Sequence, residues 1–397
     1  MRVLMVSDVY FPRINGVSTS METFRRTLQA EGVEVRLVVP DYGQSPDEDG
    51  IVRVPGRPVP RDPEDRLVRW RAMHAAVEAA ATDCDLIHIQ TPFVAHYAGL
   101  KAARRLGLPV IATYHTLFEE YLQHYAPFLP SGGLRQLART WSRRQCNALD
   151  ALIVPSQAMR TRLLDYGVRT PLYVLPTGIP LQQFAGGDGM AFRERHGIAA
   201  EQPVALFVGR VAHEKNIGFL FEVMQTVRRQ VPQALLLITG EGPAMPEMQQ
   251  LAERLGITDA VRFLGYLDRQ HELPACYAAA DVFAFASRTE TQGLVLIEAM
   301  AAGLPVMALA EMGTIDILGP RRGALVPPDD PQSFGLALAD FFQRRADWPC
   351  LSEEARLYAA EWSDDAMARR LAELYCRFVQ DHPEGVSWKV RSKVKPA

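Results

Sequence analysis

The sequence predicts an α/β protein made of two doubly wound parallel-sheet domains that face one another across a cleft. Short apolar and β-branched runs alternate with helical patterns almost throughout, the signature of parallel strands with helices on both sheet faces. The series breaks at one Gly/Pro-rich segment, "PTGIPLQQFAGGDG" (176–189), and then starts again, so that segment is read as an interdomain linker. The length of 397 residues favours two cores over one.

In chain order, the first series has strands expected at 3–6, 35–39, 86–89, 110–112, 151–154 and 173–175. A helix, "STSMETFRRTLQAEG", follows Gly16 and stops at Gly32, a good C-terminal signal. The second series has strands expected at 204–208, 234–239, 261–263, 282–286 and 306–309. Ligands of such sheets sit at the carboxyl ends of the strands. The expected division is 1–180, 190–365, and 366–397 as a C-terminal helix crossing back to the first domain with a basic tail.

Composition is that of an ordinary globular protein, 48% hydrophobic and 22% charged. No run is long enough to span a membrane, and "MRVLMVSDVY" lacks the apolar core of a signal peptide. The expectation is a cytoplasmic protein. The five cysteines stand singly, as reduced thiols do rather than disulfides or zinc ligands. The net charge of −3 argues against a general nucleic-acid binder. Residues 1–180 nevertheless carry 21 Lys+Arg against 18 Asp+Glu, so an anionic surface would meet this half first.

Two stretches carry chemistry. In "VALFVGRVAHEKN" (204–216) a buried strand ends at Gly209, and Arg210 and Lys215 follow. Two cations at a strand's carboxyl end suit a pyrophosphate, with Arg binding bidentately and Lys as a compact charge. Two solvated loop cations would give the same spacing. In "RTETQGLVLIEAMAAGLPV" (288–306) a short helix over 293–302 is closed by Gly303. Gln292, Gly293 and Leu294 would offer free amides to an anion, and Gly293 would let it come close. Glu298, one turn beyond Leu294, should be buried and therefore needs partners. Ribose hydroxyls would supply them; a neighbouring arginine would do so equally. Glu290 would lie nearer the sugar of the same ligand, or be merely exposed.

"GRVAHEKN", the Glu290-x7-Glu298 pair, "NGVSTS" and "TYHT" (113–116), in this order, resemble the retaining glycosyltransferases of family 4. The likeness runs from Met1 to about Val379. It implies the GT-B fold of two Rossmann-like domains, with residues 1–180 binding the acceptor and 190–365 the nucleotide sugar. It further implies that Arg210 and Lys215 hold the donor diphosphate, that Glu298 binds the ribose, and that Glu290 contacts the sugar. By the same likeness Gly16 brings backbone close to the phosphates and His115 sits at the reaction centre. On "TYHT" alone, His115 reads as a hydrogen-bonded strand-end histidine. The base pocket would lie near "TGEGP" (239–243) and "FLGYL" (263–267). Gln292 stands where many members carry an aromatic residue.

The implied chemistry uses no cofactor and no metal. Fixed cations and helix-end amides stabilise the departing nucleoside diphosphate, and the anomeric configuration is retained. Asp83-Cys84-Asp85 has a metal-binding spacing, but it leads straight into "LIHIQ" as a polar strand-start turn would.

"TYHTLFEEYLQHYAPFLP" (113–130) and "FPRINGVSTSMETFRR" look like the branch that glycosylates diacylglycerol-type lipids. The helix "GGLRQLARTWSRRQCNALD" puts Leu134, Leu137, Ala138, Trp141, Ala148 and Leu149 on one face, with Arg135, Arg139 and Arg143 turned away. Such a face suits an anionic bilayer, or packing on the N-terminal sheet. The tail "WKVRSKVKPA" adds four cations. Together these readings expect a hexosyltransferase, moving glucose from UDP-glucose to a lipid and peripheral on the inner face of the cell membrane. A GDP-mannose-dependent α-mannosyltransferase and a sugar-nucleotide 2-epimerase remain alternatives. An oxidoreductase is disfavoured, because "SDVYFPRINGVSTS" after the first strand has no G-x-G-x-x-G turn.

Overall fold

The structure, a computed structural model, describes residues 1–43, 48–59, 62–115 and 131–382. It divides into two compact units: Met1–Gly178 with Asp364–Ala397, and Ile179–Ser363.

The first unit contains, in order, β1 (Arg2–Val6), α1 (Gly16–Leu28), β2 (Glu34–Pro40), β3 (Ile51–Val54), β4 (Gly56–Val59) and β5 (Asp62–Val68). There follow α2 (Trp70–Ala80), β6 (Leu86–Ile89), α3 (Val94–Leu106), β7 (Val110–Thr113), α4 (Ser131–Cys146), β8 (Ala151–Val154), α5 (Gln157–Asp165) and β9 (Leu172–Val174). Seven strands form one sheet in the order β3-β2-β1-β6-β7-β8-β9, parallel at every pairing. All four residues of β6 and of β8 are buried, as strands covered by helices on both faces must be.

Within the second unit the order is α6 (Leu181–Phe184), α7 (Gly189–Arg195), β10 (Val204–Val208), α8 (Ile217–Gln230), β11 (Leu235–Thr239) and α9 (Met245–Arg254). Next come β12 (Val261–Gly265), α10 (Glu272–Ala279), β13 (Val282–Phe285), α11 (Leu294–Ala301), β14 (Val306–Ala308) and α12 (Thr314–Leu318). The unit ends with β15 (Ala324–Leu325), α13 (Pro331–Gln343) and α14 (Trp348–Ala360). Its sheet is also parallel, in the order β12-β11-β10-β13-β14-β15. Each sheet is wound outward in both directions from a switch point, between β1 and β6 in one and between β10 and β13 in the other. A crevice opens there at the carboxyl edge.

The last helix, α15 (Asp364–Gln380), belongs to the first unit. Its Met367, Ala368, Leu371 and Tyr375 are buried in one cluster with Val3, Met5, Met21 and Leu37. The Tyr375 hydroxyl lies 2.6 Å from Nδ1 of His88 on β6.

The structure departs from the sequence reading at three places. The two units meet inside the segment 176–189, at Gly178 and Ile179, but its second half is packed. Ile179 pairs with Ser363, and Ile179 and Phe184 are buried in the second unit's core, because an apolar residue inside a Gly/Pro-rich run still seeks burial. Helix α1 ends at Leu28, and Gly32, at φ +73°, closes the turn beyond it. The strands β3, β4, β5 and β15 were not expected; β4 and β5 form an antiparallel pair of their own.

Candidate active site

In the second unit, β10 delivers Arg210 and β13 delivers the 286–290 loop, one on each side of the switch point. Arg210 is exposed. After it, His213–Lys215 makes a single 3-10 turn, which Asn216 ends in the left-handed conformation at φ 54°. Asn216 Nδ2 donates to the Ala286 carbonyl at 3.1 Å, and the Ser287 hydroxyl donates to the Glu214 carbonyl at 3.2 Å. These bonds tie the two loops together and bring Lys215 Nζ within 2.5 Å of Glu290 Oε1. The two side chains are 22% and 16% exposed, so the pair is shielded but still open to a ligand.

Close backbone approach fixes the rim of this edge. At Gly240, φ is +119° and a Cβ would stand 2.0 Å from the Gly209 carbonyl oxygen; at Gly242 it would stand 2.3 Å from that of Val211. Only glycine permits this contact. The "TGEGP" loop therefore lies directly on Gly209-Arg210-Val211, and the Val211 amide donates to Glu241 O at 3.0 Å. Thr239 Oγ1 also donates to the Gly265 carbonyl, at 2.9 Å. The two stretches expected to flank a base thus meet at the carboxyl ends of β11 and β12.

Helix α11 begins where the sequence reading placed it. Gly293, at φ 93°, is its N-cap, with no side-chain cap. Helices leave their first amides without full pairing; here the Leu296 amide donates to the Gly293 carbonyl at 3.0 Å. Gln292 is 6% exposed and Glu298 4%. Glu298 has the partners its burial requires, and one of them is the neighbouring arginine that the sequence left open beside the ribose. Arg269 Nη2 donates to its Oε1 at 2.5 Å, and the Tyr277 hydroxyl donates to its Oε2 at 3.0 Å. Burial and the neighbouring carboxylate hold the Tyr277 phenol well above the ordinary tyrosine range, so it stays a donor. Sequence reasoning missed both residues. The one signal available was that a buried carboxylate needs donors, and nothing local said which.

In the first unit, the site residues also gather at the carboxyl edge. Asn15 and Ser18 form a capping box at the start of α1, leaving Gly16 exposed. A Cβ at Gly16 would meet no heavy atom within 4 Å. His115 follows β7 and is half-buried, its Nε2 lying 2.8 Å from Gln90 Oε1 beyond β6. Burial lowers its pKa to about 4, so the imidazole is neutral at pH 7. Asp8, after β1, accepts from Thr91 Oγ1 at 2.7 Å and from the Ala95 amide at 3.1 Å. It thereby caps α3 from another strand, and burial pushes its pKa up to about 6.

Asp83 and Asp85 stand at the opposite, amino-terminal edge of this sheet. Asp83 pairs with Arg2 and Arg36 at 2.7 and 2.8 Å, and Asp85 accepts from the Arg2 amide at 2.7 Å. The described part of the α4 face is spent inside the unit. Ala138 and Cys146 are buried, as is Leu149, which with Ala148 lies beyond the end of α4 and so outside the expected helical face; Trp141 donates to the Tyr97 hydroxyl at 2.9 Å, and Arg139 lies over Tyr166. The alternative of packing on the unit describes these residues better than a membrane face. Most of the aromatic stretch 113–130 and the whole basic tail lie outside the described residues. Among the described residues, no helix is long and apolar enough to cross a membrane.

Comparison with known proteins decides the family. Residues 14–183 match the model of Glycosyltransferase Family 4, and residues 190–359 that of Glycosyl transferases group 1. An alpha-monoglucosyldiacylglycerol synthase of Streptococcus pneumoniae is 33% identical over 78% of this chain and 71% of that relative. The chain is a family 4 glycosyltransferase. A second relative of this glycosyltransferase, the GDP-mannose-dependent alpha-mannosyltransferase of Mycobacterium tuberculosis, is 30% identical over 82% of this chain and 84% of its own. Among solved structures, Anabaena Alr3699/HepE in complex with UDP superposes at a TM-score of 0.76. It is 18% identical, over 95% of this chain and 100% of that one. Sucrose-phosphate synthase from Thermosynechococcus elongatus reaches 0.79 at 22% identity, over 96% and 100%. These structures show that the enzyme has the GT-B fold of two Rossmann-like domains, as its sequence predicts.

Proposed function

We propose that this hexosyltransferase takes glucose from UDP-glucose and transfers it, with retained anomeric configuration and without a metal, to a diacylglycerol-type lipid. One observation carries the reading. Lys215 and Glu290 meet at the carboxyl edge of the second sheet, where Arg210 follows β10 and the N-cap of α11 follows β13, the two strands that flank the switch point. Two cations and helix-end amides suit a diphosphate that departs with growing negative charge. In this reading Glu290, held by Lys215, accepts from sugar hydroxyls, and Glu298 from ribose hydroxyls. Gln292 and Gly293 let the phosphates approach the backbone. In the first unit, Gly16 serves the phosphates and the neutral His115 takes the donor's C6 hydroxyl. The acceptor hydroxyl attacks the anomeric carbon on the face that the diphosphate leaves.

The lipid acceptor is supported by two relatives named alpha-monoglucosyldiacylglycerol synthase, at 33% and 28% identity. The 30%-identical mannosyltransferase relative supports GDP-mannose as the second donor reading. The test incubates purified enzyme with radiolabelled UDP-glucose or GDP-mannose and diacylglycerol vesicles. The lipid product is then identified by mass spectrometry and its anomeric centre by NMR. An α-glucosyl lipid formed at the same rate in excess EDTA is expected. A mannosyl product would replace the donor, a β-linked product would sink the retaining mechanism, and a rate abolished by EDTA would sink metal independence. A donor changed in the absence of acceptor would favour the epimerase. Binding to anionic vesicles, read by flotation, checks the peripheral membrane reading.

A further inference from the structure

Glu298 is one of the most buried charged groups in the protein, its side chain only 5% exposed. Its two donors come from outside α11. Arg269 sits in a turn fixed by its neighbours: Asp268 accepts the amides of Gln270 and His271 at 3.2 and 2.8 Å. Gln183 Nε2 donates to the Arg269 carbonyl at 2.7 Å. Tyr277 projects from α10 and is fully buried, its ring edge-on to Phe184. The carboxylate is therefore held at both oxygens, by a guanidinium from an anchored turn and by a buried phenol. A carboxylate has about four lone-pair sites, and two are filled.

We propose that Arg269 and Tyr277 are positioning residues that set Glu298 in a single rotamer, so that its remaining lone pairs select a nucleotide carrying intact ribose hydroxyls. This rests on the reading of Glu298 as the ribose ligand. Arg269 holds one carboxylate oxygen and Tyr277 the other, so the ordering cost is met before the donor arrives. Neither residue touches the reacting atoms.

The test measures the affinity of the full-length enzyme for UDP and GDP against their 2′-deoxy and 3′-deoxy analogues by calorimetry. The wild type is expected to prefer the ribose form of its nucleotide on the order of ten-fold or more over at least one analogue, the scale of one lost hydrogen bond to a charged group. Tyr277→Phe, which removes one oxygen and keeps the ring, and Arg269→Gln should each shrink that ratio to about three-fold or less. A residue that only supports the fold would lower the melting temperature and leave the ratio unchanged. Retention of the full ratio in both folded variants overturns the proposal. A wild type that binds a nucleotide but ignores both hydroxyls overturns the ribose reading beneath it. Should Tyr277→Phe not fold, Arg269→Gln carries the test, since Arg269 is 32% exposed and reports through the same ratio.

Discussion

Replacing Lys215 and Glu290 singly and together separates a structural ion pair from a catalytic one. Their 2.5 Å contact is 22% and 16% exposed, between a surface pair worth up to about 1 kcal/mol and a buried one whose breakage costs about 3–5 kcal/mol. Lys215→Ala should thus cost about 1–2 kcal/mol of stability, which is about 2–8 °C in the melting of a unit of this size. Loss of a cation from the departing diphosphate should cost about 3 kcal/mol or more of barrier, about a hundred-fold in turnover. Glu290→Ala should show the same imbalance. In Lys215→Ala/Glu290→Ala neither charge is left unpaired, so part of the stability should return while turnover stays low. Melting by calorimetry and turnover with radiolabelled donor read the two quantities on the same samples. If the double variant regains activity along with stability, the pair is structural. If Lys215→Ala keeps turnover within about three-fold of wild type, its phosphate role is wrong.

Three further outcomes follow from geometry and charge. Gly240→Ala puts a Cβ 2.0 Å from the Gly209 oxygen at φ +119° and should destabilise the second unit by about 3 kcal/mol or more. Gly16→Ala meets no atom within 4 Å and should leave melting within about 0.5 kcal/mol while lowering turnover; unchanged turnover would remove Gly16 from the site. Buried His88 has its pKa lowered to about 3, so between pH 6.5 and 4 the unfolded chain binds a proton there that the folded one does not. Its contribution is complete above pH 6.5 and is lost on acidification at about 1.4 kcal/mol per pH unit. Denaturant titrations of His88→Gln should show a shallower acid loss by that amount, and identical slopes would refute the burial argument.

The central strands and the start of α11 were legible because each depends on local pattern: all-apolar runs for β8 and β10, a largely apolar run for β6, and Gly293 ahead of a helical repeat. The hairpin of β4 and β5 was not, since Pro58 and a charge-rich stretch argue against a strand. Its pairing is settled by a partner rather than by its own residues. The Glu298 grip was illegible for a related reason. Arg269 in "LDRQHEL" reads as a solvated turn and Tyr277 in "PACYAAAD" as plain core, and only the fold brings them to one carboxylate. Asp8, which caps a helix that starts 86 residues later at Val94, was hidden in the same way. Local periodicity thus shows where elements lie, and long-range hydrogen bonding decides what their ends do.

The return of α15 to the first unit imposes an order on biosynthesis. As the chain leaves the ribosome, the amino-terminal sheet emerges first but lacks Met367, Leu371 and Tyr375, side chains worth about 1.5–3 kcal/mol each when buried. That is a large share of the roughly 5–15 kcal/mol that holds a domain together. The unit made second has its whole core in hand earlier, so maturation should finish at the amino-terminal sheet, after translation of the final helix. Until then the unfinished apolar face is exposed to chaperones and proteases, and a stop codon before residue 364 would leave it so for good.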